Sequence, residues 1–248
     1  MILYPDGYAR VRAWLPEGIW TDIFTGDKYE VGVDGKEIVL LRTKDSIPVL
    51  AKEGAILPLS KDKGNAYDNP EKLEIWAYTG NGEYTLYEDG RERGENGIFL
   101  TGFVSEHTET EGVCTQSLTV SAKGDASVIP ENRTLFVRFK DIENAEVSVY
   151  IDGAKADVEE WITACAAAKI SFEAEKTYRI EAKYQKQSKL DREKARAKEV
   201  LIRGEGGNPE KYKAYKELVK AVRLQDYVET IDSCDLSDII KLRLKETL

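Results

Sequence analysis

From Arg10 onward, apolar and polar residues alternate in short runs: RVRAWL, IWTDIF, KYEVGV, KEIVLLR, IPVLA and AILPL, punctuated by Gly, Pro and Asp. Period-two alternation with turn residues roughly every 8–12 positions predicts antiparallel strands in a sandwich or barrel. The texture returns in LEIWAYTG, GEYTLYED, SLTVSA, TLFVRFKD, AEVSVYIDG and KTYRIEAKY. TLFVRF and AEVSVYI read as consecutive strands joined by a short turn at Asp141–Asn144. Between the two groups, Lys61–Pro70 (KDKGNAYDNP) is polar and turn-rich, the best place for a linker. Glu159–Ala168 (EEWITACAAA) fits either a helix or a buried strand, which periodicity does not separate.

After Ser188 the pattern becomes helical. Asp191 is placed to cap a short helix running to about Ile202, which RGEGGNP then ends. Asn208-Pro209-Glu210 opens another, with a capping side chain, a proline at the first turn and an acid behind it. Tyr212, Tyr215, Leu218, Val219 and Val222 then share one helical face. A last amphipathic segment carries Leu236, Ile239, Ile240 and Leu242, capped by Ser233 or Asp235. These helices need a surface to bury against, either one another or the neighbouring sandwich.

The net charge of −9 argues against nucleic acid or an anionic membrane as partner, because both select clustered Lys and Arg. Cys114, Cys165 and Cys234 are scattered and His107 is the single histidine, so a Cys/His zinc site is not expected. Three idle thiols suit a reducing compartment. The N-terminus lacks the basic and apolar regions of a signal peptide, and no apolar run approaches the roughly 20 residues that span a bilayer. A cytoplasmic protein is the expectation.

Chemistry is sparse. His107 lies in polar SEHTETEG without a G-x-S-x-G elbow, so a solvated strand end or loop is preferred to a catalytic base. No phosphate-binding glycine loop occurs, and no cofactor is implied. Glu88-Asp89-Gly90 is the most suggestive carboxylate set, with a turn as its simpler reading. An ion at such a loop stays open, although no EF-hand spacing exists. Asn132-Arg133-Thr134 matches a glycosylation acceptor, but its place before a strand explains it equally well. Trp14, Trp20, Trp76 and Trp161 could stack on sugar rings, yet aromatics in strands more often pack cores.

RVRAWLPEGIWTDIFTGDKYEVG followed by DSIPVLAKEGAILPL closely resembles the C-terminal β-sandwich region of family 31 glycoside hydrolases, the α-glucosidase and α-xylosidase group. The matching positions are Leu15, Pro16, Gly18, Trp20, Asp22, Thr25, Gly26 and Tyr29, then Ile47, Pro48, Val49, Gly54, Ile56, Pro58 and Leu59. GEYTLYEDG is similar to the Tyr-Glu-Asp turn of the family's distal sandwich, with one acid fewer at Glu88-Asp89-Gly90. PENRTLFVRF resembles a later strand of that domain, and the helical tail lies outside the pattern. The resemblance implies a retaining mechanism whose two catalytic Asp residues lie on a preceding TIM barrel. Neither the barrel nor its motif is present, so no catalytic residue is carried over. It also implies that Met1 is not the natural start and that the chain is a piece of a longer glycosidase.

The sequence therefore predicts two tandem antiparallel β-sandwiches and a small α-helical extension. Residues 1–66 form the proximal sandwich without its first strands, 67–187 the distal one, and 188–248 the extension. The expected role is non-catalytic scaffolding of the barrel, with carbohydrate met only indirectly and no nucleic-acid or membrane partner. The alternatives are a carbohydrate-binding module using exposed Trp14, Trp20 or Trp76, and a self-association module forming homo-oligomers.

Overall fold

The computed structural model describes residues 7–63, 68–90, 97–157, 165–203 and 209–248. The chain divides into two compact units, residues 1–50 with 187–248, and residues 51–186. The mainly β architecture with short C-terminal helices agrees with the alternation in the sequence.

In the first unit, β1 (Ala9–Leu15) pairs antiparallel with β4 (Lys36–Arg42), and β2 (Gly18–Asp22) with β3 (Lys28–Val31). Alternation along these strands turns Leu15, Tyr29, Val31, Ile38 and Leu40 into one buried cluster. The chain leaves this unit at β5 (Leu50–Lys52) and returns to it at Gln187. The returning segment forms α1 (Lys189–Lys198), a π-helical turn at Glu199–Arg203, α2 (Pro209–Leu218), α3 (Leu224–Ser233) and α4 (Asp238–Lys245). Ala197, Leu201, Leu218, Tyr227, Ile231 and Leu244 give these helices a common core, and the Tyr227 hydroxyl donates to the Glu193 carbonyl at 2.9 Å.

Several helix boundaries differ from the sequence reading. The cap of α1 is Ser188, whose hydroxyl accepts from the Asp191 amide at 3.1 Å; Asp191 lies inside the first turn. Helix α2 stops at Leu218, leaving Val222 82% exposed, and α3 is a separate helix. Asp226 starts α3 by accepting from the Arg223 amide at 3.1 Å and from the Arg223 guanidinium at 2.6 Å, with no short polar cap in front of it. The cap of α4 is Ser237, not Ser233 or Asp235. Asn208 and Gly204 lie outside the described residues.

The second unit contains two sheets. Its strands are β6 (Ile56–Ser60), β7 (Lys72–Ala77), β8 (Gly82–Asp89), β9 (Ile98–Thr110), β10 (Val113–Gly124), β11 (Thr134–Glu143), β12 (Glu146–Ile151), β13 (Ala154–Ala156), β14 (Cys165–Ser171) and β15 (Tyr178–Gln185). One sheet has the order β13-β12-β15-β10-β9-β8 and the other β14-β11-β7-β6, with β7 and β11 parallel. Ile75, Val137 and Ala168 from the smaller sheet meet Phe103, Leu118 and Ile180 from the larger in one core. Full burial of an aliphatic or Phe side chain is worth about 1.5–3 kcal/mol, so this core dominates the unit's stability.

Strands β11 and β12 are consecutive, but the chain crosses between sheets at Asn144 (φ 53), so they do not pair with each other. The ambiguous segment resolves in part: Cys165–Ser171 is a strand, and residues 158–164, with Trp161, lie outside the described residues. The polar SEHTETEG stretch closes the longest hairpin, β9–β10. Its two-residue turn, Glu111-Gly112, has positive φ at both positions, as a type I′ turn requires.

Candidate functional site

The WTDIFTGD run is a structural corner. One Asp22 carboxylate oxygen accepts from the Phe24 and Thr25 amides, each at 2.9 Å, closing the turn after β2. The other accepts from Arg42 Nε at 3.2 Å and Nη2 at 2.5 Å. Gly26 takes the left-handed conformation (φ 75) that lets its amide reach the Asp22 carbonyl at 2.9 Å. The Trp20 indole N–H donates to the Pro16 carbonyl at 3.0 Å, fixing the ring against the corner.

The C-terminal helices complete this corner. Glu246 accepts from Arg42 Nη1 at 2.9 Å, from the Tyr29 hydroxyl at 2.6 Å and from the Leu41 amide at 3.3 Å. Asp27 accepts from Arg196 at 2.7 Å and also from Arg243, which in turn donates to Glu246 at 3.0 Å. Burial alone would raise the Asp27 carboxyl, but the charges of Arg196 and Arg243 overcome it and hold Asp27 well below the carboxylate range. Tyr29 is pushed far up, first by burial and then by the Glu246 charge, so its hydroxyl remains a donor. Each acid here is matched by a guanidinium. This is the electrostatics of a tie.

The three tryptophans singled out for stacking are divided between the two units. Trp14 in β1 is 63% exposed, and its ring lies over Gly35, where a Cβ would come within 2.4 Å of it. Trp20 is half-buried against the cluster of the first unit. Trp76 belongs to the second unit, half-buried in β7 with the Lys140 ammonium 4.0 Å above its ring. Elsewhere in the first unit, Phe24, Val33 and Ile47 are also 58–78% exposed.

In the second unit a groove of about 650 Å³ runs across the larger sheet over β8, β9, β10 and β15. Strand pairing places Ser117 between Glu106 and Glu181. Arg179 bridges those acids, donating to Glu106 at 3.0 Å and to Glu181 at 2.8 Å. Ser117 is 1% exposed beneath them. At the groove's end the His107 amide donates to the Asn81 side chain at 2.7 Å. Ser117 Oγ is buried here without a hydrogen-bond partner among the described residues, while His107, opposite Gln116, turns its side chain to the other, core-facing side of β9.

His107 is thus a strand residue whose backbone lies at the edge of a groove. Ser117, Arg179 and Glu106 were not singled out from sequence; the alternation of Ser, Thr and Glu on the non-core positions of β9 and β10 is the one signal that pointed to them. Glu88 is not part of a turn. It is buried in β8 and takes a forked pair from Arg133 at 2.6 and 2.7 Å, which Arg133 Nε supplements with the Pro70 carbonyl at 3.0 Å. Asn132 is exposed just before β11. Cys114 and Cys234 are free thiols, with Cys234 raised by burial. Among the described residues no group of three or more His, Cys, Asp or Glu could hold a metal ion, and no helix is long and apolar enough to cross a membrane.

Comparison with known proteins locates the corner. Residues 2–57 match the glycosyl hydrolase family 31 C-terminal domain. Over 81 residues the chain is 36% identical to an alpha-xylosidase of Saccharolobus solfataricus, a match covering 32% of this chain and 11% of that protein. The chain thus covers about a tenth of the length of the curated relative it matches.

Proposed function

We propose, from the premise that residues 2–57 are a family 31 C-terminal region, that this chain is a non-catalytic accessory scaffold for the catalytic barrel of an α-glycosidase. The observation that carries the reading is the commitment of Asp22 and Asp27, the buried acids among the described residues of that stretch, to Arg42, Arg196 and Arg243. Two carboxyls facing each other across an open cleft are what retaining glycoside hydrolysis needs, and acids sealed by guanidinium groups do not provide them. Exposed Trp14, Phe24, Val33 and Ile47 supply apolar surface suited to covering by a partner domain. In this reading the barrel determines glucoside or xyloside specificity, and the free thiols fit a cytoplasmic setting.

The test has two arms. The purified chain should not turn over p-nitrophenyl α-glucoside or α-xyloside. Added to a family 31 barrel stripped of its own C-terminal region, it should raise the barrel's melting temperature. Turnover by the chain alone, abolished by a point substitution within it, would overturn the reading. The same exposed apolar surface supports self-association as a second reading, which predicts a concentration-dependent dimer in sedimentation.

A further inference from the structure

We propose that the chain pairs with a second copy of itself through the open edge of β8, antiparallel and with Thr85 on the two-fold axis. β8 ends the six-stranded sheet: one side carries the ladder to β9, and among the described strands none lies on the other. Natural sheet edges are shielded by prolines, lysines, bulges or a covering segment. GEYTLYED contains neither proline nor lysine, and its register with β9 runs unbroken from Gly82 to Asp89. Glu83, Tyr84, Thr85 and Tyr87 are exposed, so nothing covers the strand. Its Tyr and Thr residues are good strand formers.

Register decides which backbone groups this edge presents. The His107 amide points toward β8, since it donates to the Asn81 side chain just before that strand begins. The odd residues of β9 therefore bond to β8, and their partners Tyr84, Leu86 and Glu88 commit their N–H and C=O groups to that ladder. The backbone groups of Glu83, Thr85, Tyr87 and Asp89 point the other way. The Asp89 carbonyl agrees, because it accepts from Asn69 Nδ2 at 3.0 Å. Glu83, Thr85 and Tyr87 are left presenting a row of donors and acceptors to a further strand.

Two copies meeting here must bond odd residue to odd residue, which leaves few registers. Centred on Leu86 or Tyr87, the pairing needs the Asp89 carbonyl on which Asn69 already sits. Centring on Leu86 also sets Glu83 against Asp89, two like charges. Centred on Thr85, it matches Glu83 with Tyr87 of the second copy, Thr85 with Thr85, and Tyr87 with Glu83. All the open residues then exchange both backbone bonds, and no like charges face each other. On the core-facing side Tyr84 lies opposite Leu86, whose side chain already packs on the core of the second unit. The strand is complementary to itself in this one register.

The edge belongs to the second unit, whereas the exposed apolar residues invoked above belong to the first, so the proposal rests on neither earlier reading. Sedimentation velocity of the full chain should show a monomer–dimer equilibrium with its midpoint on the order of 10–100 µM, as suits a small interface. Thr85→Pro deletes an N–H that faces away from β9, a change an edge strand tolerates. It should move the midpoint up at least about tenfold, because it removes two bonds at the axis. Thr85→Lys, which opposes two ammonium groups there, should do the same and carries the test if proline perturbs the circular dichroism. Bonded antiparallel partners have Cα atoms about 5.5 Å apart, within disulfide range. Mild oxidation should therefore link two chains of Thr85→Cys through the substituted position, as peptide mapping can verify, and should not link Leu86→Cys. The proposal fails if the chain is still monomeric at about 1 mM. It also fails if the dimer survives Thr85→Lys, which would place it on another surface, or if Leu86→Cys links in place of Thr85→Cys. A monomer leaves the scaffold reading untouched.

Discussion

Arg42 and Glu246, 204 residues apart in sequence, form an ion pair at 2.9 Å in which both side chains are 1% exposed. The pair joins the last strand of the β1–β4 ribbon to the residue that ends α4. Removing one member of a buried pair strands the other charge, at a cost of about 3–5 kcal/mol. Glu246→Ala should therefore destabilise the first unit in urea unfolding toward the lower end of that range, because Arg42, Tyr29 and Arg243 all lose an acceptor while Arg42 keeps Asp22 and Arg243 keeps Asp27. Glu246→Gln, which keeps an acceptor oxygen, should cost less. Equal midpoints for Glu246→Ala and the parent chain would show that the helices are not tied to the strands through this residue.

Two acids of the same unit should respond to pH with opposite sign. Asp27 is depressed below its ordinary value of 3.8, so its contribution is complete above that pH and is lost as pH falls toward the depressed folded value. Glu193 is raised above 4.5, chiefly by burial against the opposing pull of Arg196 and the Thr247 hydrogen bond. Its native form holds the proton more tightly than the unfolded chain, so it subtracts stability as pH rises past 4.5. The melting-temperature gap between parent and Asp27→Asn should be widest above about pH 4 and close on acidification. Glu193→Gln should melt with the parent at low pH and above it near neutrality. Parallel pH profiles for parent and variants would refute both assignments.

The Glu88–Arg133 fork makes a similar demand on the second unit. Arg133→Ala leaves Glu88 buried and unpaired, with an expected loss of about 3–5 kcal/mol. Replacing both partners by Arg133→Met with Glu88→Leu should recover most of it, since a well-packed apolar pair avoids desolvating two charges. A double variant no more stable than Arg133→Ala would mean that the fork itself, including the Pro70 carbonyl contact, is indispensable.

Where one face of a strand is buried, the sequence was informative: VRAWL, KEIVLL and YRIEA alternate because every second residue enters a core. The run after α2 misled for a physical reason. Val219 and Val222 continue the apolar period of Tyr215 and Leu218, but α2 stops at Leu218, and α3 starts with Asp226 accepting from the amide and guanidinium of Arg223, a residue that standard cap signals do not include. Strand β9 was illegible at its polar end because both faces of SEHTET meet polar surroundings, so no alternation in hydrophobicity exists to detect. The groove was less visible still. Its residues come from four strands and acquire meaning only through register, which places Ser117 opposite Glu106 and Glu181. The corner was legible as a motif but not as a mechanism, since nothing local in WTDIFTGD says that Arg42, Arg196 and Arg243 will converge on its acids.

Two glycines of the family-like pattern separate conformational strain from steric exclusion. Gly26 (φ 75) has nothing within 4 Å of a built Cβ, so Gly26→Ala meets only the left-handed backbone penalty, about 1–3 kcal/mol. Asn tolerates that region better, and Gly26→Asn should recover part of the loss. Gly54 shares the φ of 75, but its Cβ would come 2.1 Å from the Asn81 carbonyl oxygen. Gly80 and Gly82 press back on it, with Cβ positions 2.7 and 2.2 Å from Gly54 backbone atoms. No side-chain rotation relieves a clash between two main chains, so Gly54→Asn gains nothing from its left-handed tolerance. In chemical denaturation Gly26→Asn should thus lie near the parent, while Gly54→Ala and Gly54→Asn fall together well below it. Rescue of Gly54→Ala by Asn, to the same extent as at Gly26, would show that conformation rather than the Gly54–Asn81 contact requires glycine there.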